Sequence, residues 1–239
     1  MTSEVAEKSL REPAISIVIP TFNEADTIEG TLRPLQKYRR CADIEIILSD
    51  GDSHDLTREV VQPLVDVCIN ETKGRARQMN AGASMARGEL LLFLHADTVL
   101  PDGFCAALTD QLCEHSGRLL WGFYPVRLSG KHRLLRVVER LMNCRSRLTS
   151  IATGDQGIYV SKDLWAQLEG FSDIPLMEDI DLSRRLRRLA RPVVQGEPLS
   201  TSSRRWESRG IIKTIVLMWR LRWLYFRGVN PSELVKLYR

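Results

Sequence analysis

Residues 15–24 read Ile-Ser-Ile-Val-Ile-Pro-Thr-Phe-Asn-Glu, and this stretch decides the fold class. The β-branched run 15–19 is typical of a buried strand, and Pro20 ends it because proline has no amide proton for a neighbouring strand. Asn23 and Glu24 then precede a predicted helical stretch that extends to about Tyr38. A strand that passes directly into a helix begins a β-α-β unit, so the sequence predicts a parallel sheet.

The same alternation continues along the first hundred residues. Apolar strands are predicted at 44–48, 65–69 and 90–94, with helices from about Leu56 and over 76–86 between them. This alternation predicts right-handed crossovers and an α/β fold in which helices cover both faces of a mostly parallel central sheet. Ligands of such sheets bind beyond the carboxyl ends of the strands, so the residues that follow each strand are the first candidates for chemistry.

Beyond Pro101 the pattern is less regular. The predicted helices lie at 102–115, 132–147, 162–168 and 178–188. The predicted strands lie at 121–128 and 158–160, and an extended segment is predicted at 192–194. Neither an internal repeat nor a linker is visible, so the chain 1–239 is interpreted as a single domain.

The composition is that of a folded globular protein. Of 239 residues, 44% are hydrophobic and 27% charged, with 15 glycines and 10 prolines, which excludes disordered, collagen-like and low-complexity classes. The longest apolar run, 90–94, is too short to span a membrane, and the first residues show no secretory pattern, so no signal is expected. Five scattered cysteines without a Cys-x-x-Cys pair favour free thiols in a cytoplasmic protein.

The net charge of +4 is distributed unevenly. Residues 1–183 carry a net charge of −7, whereas residues 184–239 carry +11. So basic a segment requires an anionic neighbour: a phosphorylated ligand, the acidic face of its own domain, lipid headgroups or nucleic acid. No nucleic-acid partner is expected, because no helix-turn-helix, RNP or zinc-finger pattern accompanies the charge.

Polar clusters follow three of the predicted strands. They are Pro-Thr-Phe-Asn-Glu at 20–24, Ser-Asp-Gly-Asp-Ser at 49–53 and His-Ala-Asp-Thr at 95–98. His95 and Asp97 lie two residues apart, so an extended backbone would point both side chains to one face. A carboxylate there suits Mg²⁺ or Mn²⁺. The alternative is a strand-terminal turn in which Asp97 bonds the nearby backbone.

Two further groups near these clusters have an open interpretation. Asp50 would accept hydrogen bonds from a base or a ribose, or it would simply form the turn that Gly51 permits. Lys73, Arg75 and Arg77 would neutralise a diphosphate or form a solvated basic face, and at least one of them is expected to be solvated.

Glu178-Asp179-Ile180-Asp181 begins a predicted helix. Acidic residues in a first helical turn are favoured by the helix dipole whatever the function. The apolar approach at 174–177 would partly desolvate them and raise a carboxylate pKa into a range useful to a general base. A zinc site, a hydrolase elbow, a P-loop and a dinucleotide-binding fingerprint are not expected, because their spacings are absent.

The serial order of these clusters resembles the family 2 glycosyltransferases of GT-A fold. The resemblance covers about residues 14–206 and rests on 17–24, 50–53, 80–82, 86–89, 93–97 and 178–186. More narrowly, His-Ala-Asp-Thr, Gly-Asp-Gln-Gly (154–157) and Ser-Ser-Arg-Arg-Trp (202–206) resemble a small bacterial branch described as radical-SAM/selenodomain-associated transferases.

The resemblance implies a metal-dependent inverting glycosyltransferase that moves one sugar from a nucleotide-diphosphate sugar to an unidentified acceptor hydroxyl, on a small molecule or a lipid. It implies that Asp179 is the catalytic base, assisted by Glu178, and that Asp97 holds Mn²⁺ or Mg²⁺. Thr21, Asn23, Glu24 and Asp50 would hold the nucleoside, Arg77 would approach the base or the diphosphate, and Asp155, Gln156 and Trp206 would line the acceptor side. The other implied donor-site or acceptor-site residues are Pro20, His95, Ala96 and Arg205.

The resemblance also divides the chain. About 14–100 would be the nucleotide-binding half, about 101–206 the acceptor-binding and catalytic half, and 207–239 a basic amphipathic helical segment. Within that segment, Ile211–Phe226 is expected to pack on the domain in preference to lying in a membrane interface, so localisation is cytoplasmic, with peripheral contact at the inner face of the membrane as the alternative. No oligomeric state is predicted.

Two positions depart from the family pattern. The family usually has Asp at the position of His95. A histidine there adds no negative charge for a metal. Ser202 stands where processive synthases carry Gln, three residues before the Arg-Trp pair, which favours transfer of a single sugar. Two other functions are kept open: a sugar-phosphate nucleotidyltransferase, which would need a glycine-rich loop after the first strand, and a non-catalytic nucleotide-sugar-binding module.

Overall fold

The computed structural model describes residues 12–41, 43–115 and 118–238. Within them the strands are β1 (Ile15–Thr21), β2 (Ile44–Asp50), β3 (Val67–Asn70), β4 (Leu90–Phe93), β5 (Thr98–Val99), β6 (Trp121–Phe123), β7 (Val126–Leu128), β8 (Ile158–Ser161), β9 (Val193–Val194) and β10 (Leu199–Thr201). The helices are α1 (Ile28–Leu32), α2 (Gln36–Arg40), α3 (Thr57–Val61), α4 (Arg75–Ser84), α5 (Phe104–Glu114), α6 (Arg133–Thr149), α7 (Lys162–Leu168), α8 (Glu178–Leu189), α9 (Arg204–Arg209), α10 (Ile211–Phe226) and α11 (Pro231–Tyr238). Residues 1–11, on which the expectation about a secretory signal depends, lie outside the described residues.

A central sheet has the strand order β3-β2-β1-β4-β8-β6-β9. Its first four strands are parallel, and Val18 of β1 lies opposite Ile47 of β2 and Phe93 of β4. β8 is antiparallel to both β4 and β6. The predicted α/β architecture, with a mostly parallel central sheet and helices around it, is confirmed.

The central strands are buried because both of their faces are apolar. Successive side chains of a strand point to opposite faces, so Val18 belongs to the cluster on the α4 side and Ile17 to the cluster that includes Ile28 of α1. Gly82 of α4 lies so close to Val18 that an added Cβ would clash with it. The missing side chain lets α4 approach the sheet and fixes its rotation above the strand ends.

A small second sheet, in the order β5-β10-β7, lies beside the central one. The predicted strand 121–128 is therefore two strands in two sheets. The break falls at Tyr124 and Pro125, where the Tyr124 N–H donates to the Gln156 carbonyl (2.8 Å) and the Pro125 carbonyl accepts from the Leu199 N–H (3.0 Å). Proline cannot donate to a neighbouring strand, so the chain leaves one sheet for the other at this point.

The helix predicted between Glu24 and about Tyr38 is also interrupted. Asn23 has a left-handed backbone (φ 54°), so the helix begins only at Ile28. A 3₁₀ turn, Arg33–Leu35, then separates α1 from α2. Its Pro34 lacks the N–H that a continuous helix would need there.

Helices α10 and α11 pack on the domain near the start of α8. Leu221 of α10 and Leu234 of α11 are buried in one cluster with Met177 and Ile180. The sequence analysis expected α10 to pack on the domain in preference to lying in a membrane interface, and α10 makes that contact here. None of the helices in the described part of the chain is long and apolar enough to cross a membrane.

Candidate active site

The polar residues at the strand ends line a cavity of about 450 Å³, called here the strand-end cavity. Its walls are formed by Pro20, Glu24, Arg75, His95, Ala96, Asp97, Asp155, Ser202, Arg204, Arg205, Trp206, Ser208 and Arg209. The cavity lies where β1 and β4 end, which is the edge that the strand order predicted for a ligand.

A smaller cavity of about 110 Å³, the carboxylate cavity, adjoins the strand-end cavity. Glu178 and Asp179 line it from the start of α8. The two cavities have in common Arg75, His95, Asp155, Arg205 and Trp206. Asp97 and Asp179, which are far apart in the chain, therefore face adjoining spaces.

Thr21, Asn23 and Asp50 hold the loops beneath the strand-end cavity and do not line it. The buried Asp50 carboxylate accepts from the Thr21 hydroxyl (3.1 Å) and from the hydroxyl and the N–H of Ser53 (2.6 and 2.9 Å). The side chain of Asn23 accepts from the His54 N–H (2.9 Å). For Asp50 this is the turn-forming role that the sequence left open.

Asp97 is the residue whose surroundings suit a cation. Burial raises the pKa of its carboxyl, and the nearby charges of Asp155 and Glu24 raise it further, against the opposing effect of His95 and Arg204. A carboxylate oxygen is a ligand that Mg²⁺ and Mn²⁺ prefer, and a cation there would stabilise the buried charge of Asp97, so this residue fits either metal. Among the described residues, no three His, Cys, Asp or Glu side chains converge as a ligand set, so phosphate oxygens of a ligand would have to complete the coordination.

His95 and Asp155 form a pair at the junction of the two cavities. Nδ1 of His95 lies 3.2 Å from Oδ1 of Asp155. Burial alone would raise the pKa of Asp155, but the hydrogen bond and charge of His95 and the charges of Arg75 and Arg205 lower it to about 2. Gly154 makes the pair possible, because a Cβ there would clash with the imidazole ring. His95 is thus paired with a carboxylate that the neighbouring loop supplies.

Glu178 and Asp179 differ in what surrounds them. The partly exposed Asp179 carboxylate accepts from the N–H groups of Gly154 and Ile180 (2.7 Å each). Glu178 is 4% exposed; burial and the charge of Asp179 raise its pKa, although Arg75 lies 3.7 Å away and opposes the shift. The predicted desolvation therefore acts on Glu178, while Asp179 stays accessible from the cavity.

Arg75, and not Arg77, is the basic residue of α4 that lines both cavities. The surrounding carboxylates raise the pKa of Arg75 against the effect of burial. Arg77 is exposed, and its Nε donates to both carboxylate oxygens of Asp173 (2.9 Å each). Arg77 lines neither cavity, because residues two apart on a helix point to opposite sides, and its implied role at the base or the diphosphate stays a prediction.

Gln156 is also placed differently from the expectation. It is fully buried, and its side-chain carbonyl accepts from the Ser146 hydroxyl (2.7 Å) and the Thr153 N–H (3.1 Å). Its side-chain amide donates to the Tyr124 carbonyl (3.3 Å). Gln156 therefore fixes the loop that carries Asp155 and lines neither cavity.

The sequence reasoning missed two arginines near Asp179. Arg222 of α10 lines the carboxylate cavity, and Arg145 of α6 is close enough for its pKa to depend on Arg222, Asp155 and Asp179. No sequence signal singled them out, because α6 contains five arginines and α10 also contains Lys213 and Arg220. Arg205 and Trp206 of α9 line both cavities, as the resemblance implied.

Family comparison defines the class of the protein. The model for glycosyl transferase family 2 matches residues 16–165, and the chain belongs to that family.

Particular relatives are similar over shorter stretches. A GalNAc(5)-diNAcBac-PP-undecaprenol beta-1,3-glucosyltransferase of Campylobacter jejuni is 32% identical over 110 residues, which cover 43% of this chain and 35% of that protein. A validoxylamine A glucosyltransferase of Streptomyces hygroscopicus is 37% identical over 90 residues, covering 34% and 21%. A PGL/p-HBAD biosynthesis glycosyltransferase of Mycobacterium tuberculosis is 33% identical over 95 residues, covering 37% of each chain. The chain thus matches between 21% and 37% of the length of these proteins.

Solved structures show the same fold. TarS 1–349 of S. aureus in complex with UDP-GlcNAc has a TM-score of 0.63 at 18% identity, with 79% of this chain and 58% of that chain covered. The mannosyltransferase PcManGT of Pyrobaculum calidifontis, in complex with GDP-Man and Mn²⁺, has a TM-score of 0.60 at 22% identity, covering 81% and 57%. The predicted GT-A fold is confirmed.

Proposed function

We propose that this protein is a metal-dependent inverting glycosyltransferase that moves one sugar from a nucleotide-diphosphate sugar to an acceptor hydroxyl. The observation that carries the proposal is the placement of Asp97 and Asp179 on adjoining cavities that share Arg75 and Asp155. Relatives named as glucosyltransferases, and structures of similar fold in complex with UDP-GlcNAc or with GDP-Man and Mn²⁺, support this donor class.

The donor is proposed to occupy the strand-end cavity. Arg75 and Arg205 would face its diphosphate, and Glu24 would face the nucleoside, while Thr21 and Asp50 keep the loops beneath it in place. Asp97 would hold Mg²⁺ or Mn²⁺, which when bound neutralises the diphosphate and stabilises it as a leaving group. Pro20 and Ala96 would shape the wall around the donor.

Asp179 is proposed as the general base. Its carboxylate takes the proton of the acceptor hydroxyl as that oxygen attacks the anomeric carbon; the new C–O bond forms while the bond to the diphosphate breaks, and the nucleoside diphosphate leaves with the electron pair. One displacement inverts the configuration. Glu178 suits the base role less because its carboxyl is buried and lies 3.7 Å from Arg75, so its part is to position Arg75.

The other expectations remain part of the proposal. Residues of about 14–100 would bind the nucleotide, about 101–206 the acceptor, and 207–239 would cover the site with helices. The acceptor would be a small molecule or lipid-linked, and the chain would belong to the radical-SAM-associated branch. The five free thiols support a cytoplasmic location, with contact at the inner face of the membrane.

A donor screen tests the proposal. Thermal shift is measured with UDP-, GDP- and dTDP-sugars, with and without Mn²⁺, and sugar release is followed by chromatography. We expect one donor class to stabilise the protein, more strongly with Mn²⁺, and to be slowly hydrolysed or transferred. The Mn²⁺-dependent part should vanish in Asp97→Asn and persist in Asp102→Asn, whose carboxylate is exposed beside Lys37. A response to none of these donors contradicts the proposal, and binding without turnover favours a non-catalytic module.

A further inference from the structure

An apolar groove of about 590 Å³, the α6–α10 groove, opens between α6 and α10. Leu141, Met142 and Leu148 line it from α6, and Met218 and Trp219 line it from α10. Leu141, Leu148 and Trp219 are 51%, 81% and 64% exposed, so the rim of the groove is apolar and open to the surroundings. A surface of this kind is typical of a binding site for an apolar partner.

The groove leads to the reaction centre. Asp155 and Trp206 line the α6–α10 groove and both polar cavities. Arg222 lines the groove and also the carboxylate cavity, where Asp179 lies. A molecule that lies along the groove therefore has one end next to the carboxylate cavity, which Asp179 lines.

Two arginines at that inner end lack a counter-ion. In the described part of the chain, no carboxylate lies within ion-pair distance of Arg145 or Arg222. Arg145 donates to the Ser146 hydroxyl through Nη2 (2.8 Å), but its buried Nε has no hydrogen-bond partner. Burial and the charge of Arg222 lower the pKa of Arg145 to about 10.

The charges of Asp155 and Asp179 act favourably on both arginines from a distance, but in the described part of the chain neither carboxylate is hydrogen-bonded to them. Asp155 is paired with His95, and the two oxygens of Asp179 accept from backbone N–H groups. Two partly buried cations that repel each other cost free energy unless an anion binds between them. Guanidinium groups hold phosphate oxygens by charge-assisted and often paired hydrogen bonds, so a phosphate is the anion that this arrangement fits.

We propose that the acceptor is a lipid phosphate bound in the α6–α10 groove, with the phosphate of its head group on Arg145 and Arg222 and its chain between the two helices. This rests on the proposed function, because it assigns the acceptor of the same reaction. The accepting group is a hydroxyl of the head group and not a phosphate oxygen, and it would then lie beside Asp179, which takes its proton.

The outer faces of the two helices favour a lipid over a water-soluble acceptor. Ile212, Val216, Trp219 and Trp223 of α10 are 59–67% exposed and recur every three or four residues, so they form one apolar stripe. Residues 184–239, which contain α10, carry a net charge of +11, whereas residues 1–183 carry −7. An apolar stripe with basic residues nearby is suited to the interface of an anionic membrane, where a lipid acceptor resides.

Binding of farnesyl phosphate, without donor, tests the site. Calorimetry is expected to show binding to the wild type and binding about tenfold or more weaker in the double variant Arg145→Gln/Arg222→Gln. The matched control is Arg147→Gln/Arg220→Gln, exposed arginines on the same helices, in which affinity should stay within about twofold. Farnesol and inorganic phosphate should each bind about tenfold or more weakly than farnesyl phosphate.

A second measurement needs no variant. Cys144 is exposed and lines the groove, whereas Cys41 and Cys113 are exposed elsewhere on the surface. Farnesyl phosphate should slow alkylation of Cys144 by N-ethylmaleimide about fivefold or more, as followed by mass spectrometry, and leave Cys41 and Cys113 unchanged.

Several results would overturn the assignment: unprotected Cys144, equal affinity in the arginine variant, or equal binding of farnesol or inorganic phosphate. The donor screen on the same preparation separates the two proposals. Donor binding without farnesyl phosphate binding overturns the acceptor assignment alone, whereas absence of any donor response contradicts the proposed function itself.

Discussion

The buried carboxylate of Glu45, at the amino ends of β1 and β2, and the guanidinium of Arg145, at the inner end of the α6–α10 groove, differ in how their charge is compensated. Glu45 is 1% exposed and accepts from the Ser16 hydroxyl (2.6 Å) and from the N–H and Nε of Arg87 (2.6 and 2.8 Å). Arg145 keeps an unpartnered Nε among the described residues. The charge of Glu45 is satisfied by the chain itself, whereas Arg145 is the group for which we propose a ligand.

The largest effect is expected from Asp179→Asn. The asparagine can still accept from the Gly154 N–H through its carbonyl, so the loop is retained, but it cannot take a proton. We expect kcat to fall by about 10²–10⁴ with the donor found by thermal shift, while donor binding is kept. Asp173→Asn, an exposed aspartate paired with Arg77, is the control. Retained turnover in Asp179→Asn would assign the base to another group.

Glu45→Gln is expected to destabilise the fold without touching the site. Loss of the charged acceptor for Ser16 and Arg87 should lower the free energy of unfolding by about 2–3 kcal/mol at pH 7. Burial would raise the pKa of Glu45, but its hydrogen bonds and Arg87 lower it. The stabilisation is therefore complete above the ordinary glutamate pKa and lost as the pH falls through the lower folded value.

Urea unfolding at pH 7 and at about pH 3.5 measures this effect. The difference between wild type and Glu45→Gln should shrink at the lower pH. Glu29→Gln, which removes an exposed pair with Arg33, should change the free energy of unfolding by less than about 0.5 kcal/mol. A constant difference across this pH range would mean that the charge of Glu45 is not what stabilises the fold.

The two arginines of α4 provide a smaller and more specific comparison. Arg75→Gln removes a cation shared by both cavities, and kcat/KM should fall about tenfold or more. Arg77→Gln removes only an exposed pair with Asp173, and kcat/KM should stay within about twofold. Steady-state kinetics at saturating Mn²⁺ distinguishes the two variants. A larger loss in Arg77→Gln would support the implied role of Arg77 at the base or the diphosphate.

The smallest expected effect is the pH dependence at Glu178. Because burial and Asp179 raise its pKa, the native state binds more protons than the unfolded state just above the ordinary glutamate pKa. Stability contributed at this position therefore falls as the pH rises. The melting temperature of Glu178→Gln, relative to wild type, should increase from pH 5 to pH 8. The opposite slope would show that the pairing of Glu178 with Arg75 outweighs its burial.

Local signals in the sequence were sufficient to predict the strands of about residues 14–100, the half that is proposed to bind the nucleotide. The β-branched run 15–19 and the polar clusters after it required only strand periodicity and turn chemistry, and the structure places Glu24, His95 and Asp97 on one cavity. Short strands were not recoverable in this way: β5 and β10 have two and three residues, and their pairing depends on contacts about a hundred residues apart.

The remaining failures concern orientation. The choice between Arg75 and Arg77 depends on how α4 is rotated above the sheet, which is fixed by packing of Gly82 on Val18. The partners of Gln156 and the meeting of Arg145 with Arg222 likewise depend on tertiary packing. Sequence patterns identified candidate side chains, but they did not show which of these side chains line the same cavity.

Trp206 and Asp155 are walls common to all three cavities. Two ligands that touch the same side chains are energetically linked, and such linkage is reciprocal. By whatever factor a sugar nucleotide alters the affinity for the lipid, the lipid alters the affinity for the sugar nucleotide by the same factor. If both proposals hold, occupancy of the α6–α10 groove would alter how tightly the protein binds its proposed sugar-nucleotide donor.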